Sequence, residues 1–158
     1  MSHVFSADEI LEMAEQIERN GAKFYRDSAE NVDDAIERKF LLQLAGMEDH
    51  HLKTFTAMRA QLSGKEHESP AFDPDQEAGM YLKSLADAKV FFEKDMDSSS
   101  LEEIYKTAIL AEKDSIAFYI GMKDLVPEYL GKDKLDAIIK EEMQHIKTLN
   151  QKLIVLKK

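Results

Sequence analysis

The chain of 158 residues contains no cysteine and no tryptophan, only three prolines and six glycines, and fewer basic than acidic residues. Each shortage excludes something. Without cysteine there is no disulfide framework, thiolate zinc ribbon, thiolate-held iron–sulfur cluster or thiol nucleophile. Scarce proline and glycine disfavour a turn-rich β fold and favour long helices. Lys and Arg number 21 against 31 Asp and Glu, a formal charge of −10, so nucleic-acid binding through phosphate neutralisation is not expected. Apolar runs are interrupted by Glu, Lys or Asp every few residues, so no membrane span is expected. Met1 to Ala7 shows no basic stretch followed by an apolar run, and no signal peptide is expected there. These features fit a cytoplasmic protein. The length favours one domain, 1–158, with a substantial core.

What is present is a repeat. Two Glu-x-x-His pairs occur, Glu48…His51 and Glu142…His145, and each follows a glutamate by 30 residues, Glu18 and Glu112. A single shift of 94 residues carries 18, 48 and 51 onto 112, 142 and 145. The same shift pairs Ile10 with Ile104, Ala14 with Ala108, Phe24 with Phe118, Tyr25 with Tyr119 and Leu41 with Leu135. The pattern reads as duplication of one helical hairpin.

Helical periodicity is clear in both halves. Ser6-Ala-Asp-Glu9 and Ser100-Leu-Glu-Glu103 read as capping boxes that open the first and third long helices. In the first helix Leu11, Ala14, Glu18, Gly21, Tyr25 and Ser28 recur three and four apart. In the second, expected over Ala35–Leu62, the stripe is Leu41, Leu44, Glu48, His51, Phe55, Met58 and Leu62. The third carries Tyr105, Ala108, Glu112, Ser115, Tyr119 and Met122, ending near Pro127. The fourth, from about Lys132, carries Leu135, Ile138, Glu142, His145, Leu149 and Leu156. Asn31 to Asp34 is an expected turn and Ser63 to Ala78 an expected loop. A short helix is expected over Glu77–Phe92, then a linker over Asp95–Ser99. The fold class is therefore all-α, a four-helix bundle of two duplicated hairpins joined by a long crossover.

On a helix, residues three apart share a face with Cβ atoms about 5–6 Å apart. Each Glu-x-x-His pair can thus reach into one cavity. A lone carboxylate on a buried stripe is costly, and none of the four stripes carries a lysine or arginine to neutralise it. Four carboxylates balance two divalent cations, which would bring the formal charge of −10 to −6. Mixed carboxylate and imidazole donors suit iron or manganese better than zinc.

This arrangement resembles the ferritin-like di-iron carboxylate proteins, and among them is most similar to the rubrerythrin group. The resemblance covers all four long helices. It implies a ferritin-like bundle holding two Fe ions, with Mn as the alternative, through Glu18, Glu48, His51, Glu112, Glu142 and His145. Glu48 and Glu142 would bridge. It further implies an oxidoreductase acting on peroxide or dioxygen, of peroxidase or ferroxidase type. The alternative is iron binding, storage or sensing without turnover. Two features depart from the group. Its rubredoxin tail of four cysteines is missing, so an external electron-donor protein is expected. A further glutamate one turn from the position of Glu112 is also missing, the neighbours being Ile109 and Ser115. A homodimer is an open assembly.

The remaining polar residues have plainer readings. Tyr25 and Tyr119 each follow a candidate ligand by seven residues. They are read first as packed core tyrosines, with contact to the metal ligands as the alternative. His50, Asp49, Glu141 and Glu15 are expected on solvated faces. His3 and His67 are given no role, and the methionines are read as core filler.

Overall fold

A computed structural model describes residues 5–68, 71, 73–87 and 100–158. Four long helices dominate it: α1 (Ala7–Glu30), α2 (Ala35–Ala60), α5 (Leu101–Met122) and α6 (Lys132–Leu156). Two shorter ones, α3 (Gly64–Glu68) and α4 (Glu77–Asp87), lie in the crossover. Among the described residues no helix is long and apolar enough to cross a membrane.

Local chemistry sets the helix ends. The Ser6 and Ser100 hydroxyls accept from the backbone N–H groups of Glu9 and Glu103, both at 3.1 Å. Asp34 caps α2 by accepting from Ile36 and Glu37. Each such cap is worth about 1 kcal/mol. α5 stops at Met122, before the expected Pro127. A pair of turns follows, and Pro127 then opens a single 3-10 turn, Glu128–Leu130. Gly131, at φ 97°, makes the left-handed step into α6 that a side chain would strain. α2 ends at Ala60, slightly short of the expected Leu62. The expected loop over Ser63–Ala78 contains α3, whose His67 pairs with Asp8 at 2.9 Å. The helix expected over Glu77–Phe92 is described as far as Asp87. Residues 88–99, including the expected linker Asp95–Ser99, lie outside the described residues, as do His3 and Ser69-Pro70.

α1 packs most extensively on α2, and α5 on α6. The expected stripes face inward, with one exception. Leu156 is exposed. The buried apolar residues form two clusters. One holds Ile10, Leu11, Phe55, Met58, Phe118, Tyr119 and Met122; the other holds Phe24, Tyr25, Leu41, Leu44, Ile104, Tyr105 and Leu149. The six repeated Glu and His residues fall between them along the bundle. Beyond the second cluster, Tyr105 donates to Glu37, and Lys152 reaches the same carboxylate at 3.1 Å. That contact ties α2, α5 and α6 together.

The crossover helix α4 lies against α5. Leu82 is fully buried, and the Tyr81 hydroxyl donates to the Ala117 carbonyl at 2.9 Å. Gly121 permits this approach, since a Cβ there would lie 2.5 Å from the Tyr81 ring. We expect Gly121→Val to lower stability by about 1–3 kcal/mol through overpacking, measured by urea unfolding. Unchanged stability would show that α4 does not need this contact.

Candidate metal centre

Each polar side chain of the centre comes from the middle of a long helix. Glu18 comes from α1, Glu48 and His51 from α2, Glu112 from α5, Glu142 and His145 from α6. All six are 3% exposed or less. Ligand-capable atoms of Glu18, Glu48, His51 and Glu142 lie within 4.8 Å of one another, and so do those of Glu48, Glu112, Glu142 and His145. Glu48 and Glu142 belong to both groups.

The two imidazoles turn Nδ1 inward. His51 Nδ1 is 2.7 Å from Glu142 Oε1, 3.5 Å from Glu48 and 3.6 Å from Glu18. His145 Nδ1 is 3.3 Å from Glu142 Oε2, 3.4 Å from Glu112 and 3.7 Å from Glu48. The rings stack at a centroid distance of 6.1 Å.

A metal fits this set. Seven buried atoms make no hydrogen bond of acceptable geometry: Glu18 Oε2, Glu48 Oε1, His51 Nδ1, Glu112 Oε2, both Glu142 oxygens and His145 Nδ1. Every one of them belongs to the six residues. An unsatisfied buried polar atom costs roughly 1–3 kcal/mol. Divalent cations would satisfy lone pairs and charge at once. Arg59, which reaches α1 from α2, is engaged away from these six residues, with Asp8 at 2.7 Å and Glu15 at 2.8 Å.

The tyrosines, read first as packing residues, also act on the centre. Tyr25 donates to Glu112 Oε1 at 2.6 Å and Tyr119 donates to Glu18 Oε1 at 2.5 Å. Each bond crosses from one hairpin to the other. Burial and the facing carboxylates raise both phenols well above their usual range, so both keep the proton they donate.

Two expectations are corrected. Glu15 is not on a solvated face. It is 4% exposed, held by Arg59 and by Thr56 at 3.0 Å, because α2 covers it and supplies the counter-charge. Glu141 does not face away from the centre. Its Oε2 lies 2.5 Å from His51 Nε2 while the side chain stays 46% exposed. Its place opposite a histidine on another helix follows from the rotation of α6 against α2, which spacing along one helix cannot reveal. Met47 was likewise missed as a neighbour. Its sulfur is 3.3 Å from His145 Nε2, and it is no core filler at 38% exposed. His50 is exposed as expected, and Asp49 pairs with Arg26 near the surface.

A pocket of about 410 Å³ opens between α2 and α6, lined by His50, His51, Lys53, Thr54, Lys134, Ile138 and Glu141 among others. Glu141, which lines this pocket and faces His51 Nε2, is 46% exposed.

The family model for rubrerythrin matches residues 9–153. The chain belongs to the rubrerythrin family. A crystal structure from Thermotoga maritima, described as a ferritin-like diiron-carboxylate protein, is similar at 26% identity over 97% of both chains, with a TM-score of 0.72. No curated protein matches. The fold is therefore ferritin-like, and the buried carboxylate–histidine cluster is a candidate metal site.

Without metal the cluster retains protons. Burial, then the Glu142, Glu18 and Glu112 carboxylates, push Glu48 well above the carboxylate range. Burial and then Glu112 push Glu142 up to about 8. Burial opposes charge on Glu112, but Glu142, His145 and Tyr25 outweigh it and bring it to about 2. Burial would likewise lower His51 and His145, yet the facing carboxylates raise them to about 11 and about 10. Groups with raised values contribute stability that is complete below their unfolded values and is lost as pH rises through the folded ones. For Glu142 the loss ends near pH 8, and for the histidines it continues to pH 10–11. The Tm of chelator-treated protein should therefore fall steadily from about pH 6 to about pH 9. A Tm that is flat or rising over that window would contradict the proton-holding cluster.

Proposed function

We propose that this chain is a di-iron carboxylate oxidoreductase of rubrerythrin type that reacts with peroxide or dioxygen. Glu18, Glu48, His51, Glu112, Glu142 and His145 would be the metal ligands. The observation that carries the reading is the pair of donor groups sharing Glu48 and Glu142, combined with seven buried atoms that lack partners. A carboxylate common to both groups would lie within reach of both cations. When bound, a pair of iron ions supplies the electrons that reduce the oxidant; manganese suits the same donors.

The chain's own residues do the rest. Four carboxylates match the charge of two divalent ions in an interior closed at both ends by apolar clusters. Tyr25 and Tyr119 hold Glu112 and Glu18 by one oxygen each, leaving the second oxygen of each for a cation. The sequence has no cysteine, so reducing electrons would come from a separate donor protein. The pocket lined by His51 and Glu141 would let outside groups approach the His51 side of the centre.

A second reading, iron oxidation and holding without peroxidase turnover, is favoured by Ser115. Its hydroxyl donates to the Ala111 carbonyl of its own helix at 3.0 Å. No carboxylate stands there to exchange with Glu112 as a ligand.

Metal analysis of protein purified without chelator should give close to two irons per chain. Glu48→Ala and Glu142→Ala should each lose at least one ion. Full stoichiometry in both variants would defeat the bridging assignment. Stopped-flow mixing of the reduced iron-loaded protein with peroxide should show a rise in absorbance and loss of peroxide. Absorbance change with dioxygen but no peroxide consumption selects the second reading, and no change with either oxidant rules out both.

A further inference from the structure

Most of the centre obeys the internal repeat. The shift of 94 that exchanges Glu18 with Glu112 also exchanges the Tyr25–Glu112 bond with the Tyr119–Glu18 bond. The outer edges of the histidines break that symmetry. His51 Nε2 faces the Glu141 carboxylate at 2.5 Å, whereas His145 Nε2 faces the Met47 thioether at 3.3 Å. Positions 47 and 141 are themselves related by the shift of 94. One structural place, on the helix that carries the opposite histidine, thus holds a charged acceptor in one half and a weak neutral acceptor in the other.

With Nδ1 turned into the cluster and holding a cation, Nε2 would carry the ring N–H and donate outward. A carboxylate accepting that N–H fixes the tautomer and the ring orientation and makes Nδ1 a stronger donor to a cation; a thioether does so feebly. Removing such a carboxylate typically weakens metal binding 10–100-fold. Glu141 is 46% exposed, so solvent screening places its effect at the lower end of that range.

We propose that the two ion positions are made inequivalent by this exchange of Glu141 for Met47. The position served by His51 and Glu18 is the tight one and fills first. The position served by His145 and Glu112 is the loose one, fills second and empties first under a chelator. This inference rests on the di-metal reading above. Glu141 and Met47 are positioning residues, since they act on the cations only through the imidazoles.

Anaerobic titration with Co(II), followed by calorimetry and by the visible bands of the ion, tests it. The wild type should bind two ions in steps about tenfold or more apart. Paramagnetic NMR at one equivalent should perturb the His51 ring before the His145 ring. Glu141→Gln should loosen the tight step about tenfold. The charge-conserving exchange Met47→Glu with Glu141→Met should restore two separated steps and move the first ion to His145. Glu141 and Met47 are 46% and 38% exposed, so neither replacement opens a core cavity, and the Tm of the metal-free variants checks this. Two ions of equal affinity, or a tight step that Glu141→Gln leaves in place, would overturn the inequivalence and leave the di-metal reading standing. Fewer than two ions in the wild type would overturn that reading and this inference together.

Discussion

The structure turns on the burial of four carboxylates at the middle of a helical bundle. Glu18, Glu48, Glu112 and Glu142 are each 2% exposed or less, and among the described residues no buried lysine or arginine meets them. Like charges held this close cannot all stay ionised and unpartnered. Either protons or cations must be there. The raised values of Glu48 and Glu142 and of both histidines show what the protein does with protons alone. Seven of the oxygen and Nδ1 atoms, though close to one another, make no hydrogen bond of acceptable geometry. A pair of divalent ions answers both needs.

The remainder of the fold serves this constraint. Two apolar clusters, one on either side of the centre, hold the helices rigid enough to keep carboxylates at close range. A tyrosine from each cluster reaches the glutamate of the opposite hairpin, so the apolar packing and the polar centre are mechanically joined. Buried Glu15 with Arg59, and half-buried Glu37 with Lys152 and Tyr105, show the alternative way this protein accommodates an acid. Those carboxylates have basic or hydroxyl partners within reach. The central four have each other, the histidines and the two tyrosines, which is what sets a binding site apart from a structural ion pair.

The internal repeat of 94 residues accounts for the near symmetry of the centre, and the positions where the repeated residues differ account for where it fails. Inner positions are held to the repeat because each must serve a shared cavity. Positions 47 and 141 lie at the half-exposed outer edge, where a carboxylate and a thioether both pack acceptably. A difference at that edge changes the histidine behind it without disturbing the packing.

Much of this was legible in the residues alone. The spacing of Glu18, Glu48, His51, Glu112, Glu142 and His145 placed all six on inward stripes, because helical period is a local property and these stripes are otherwise apolar. Ser6 and Ser100 marked helix starts for the same reason: a cap bonds within its own first turn. What one helix's period cannot carry is its rotation and height against another helix. That tertiary relation put Glu141 on His51, Met47 on His145, Glu15 under Arg59, and the hydroxyls of Tyr25 and Tyr119 on the glutamates of the facing hairpin. It also left Leu156 in solvent where its period alone placed it inside. The sequence by itself determined which side chains could meet at the centre. Only the packing of α2 against α6 and of α1 against α5 decided which of them touch and at which atom, because those contacts depend on distances between chain segments that share no local geometry.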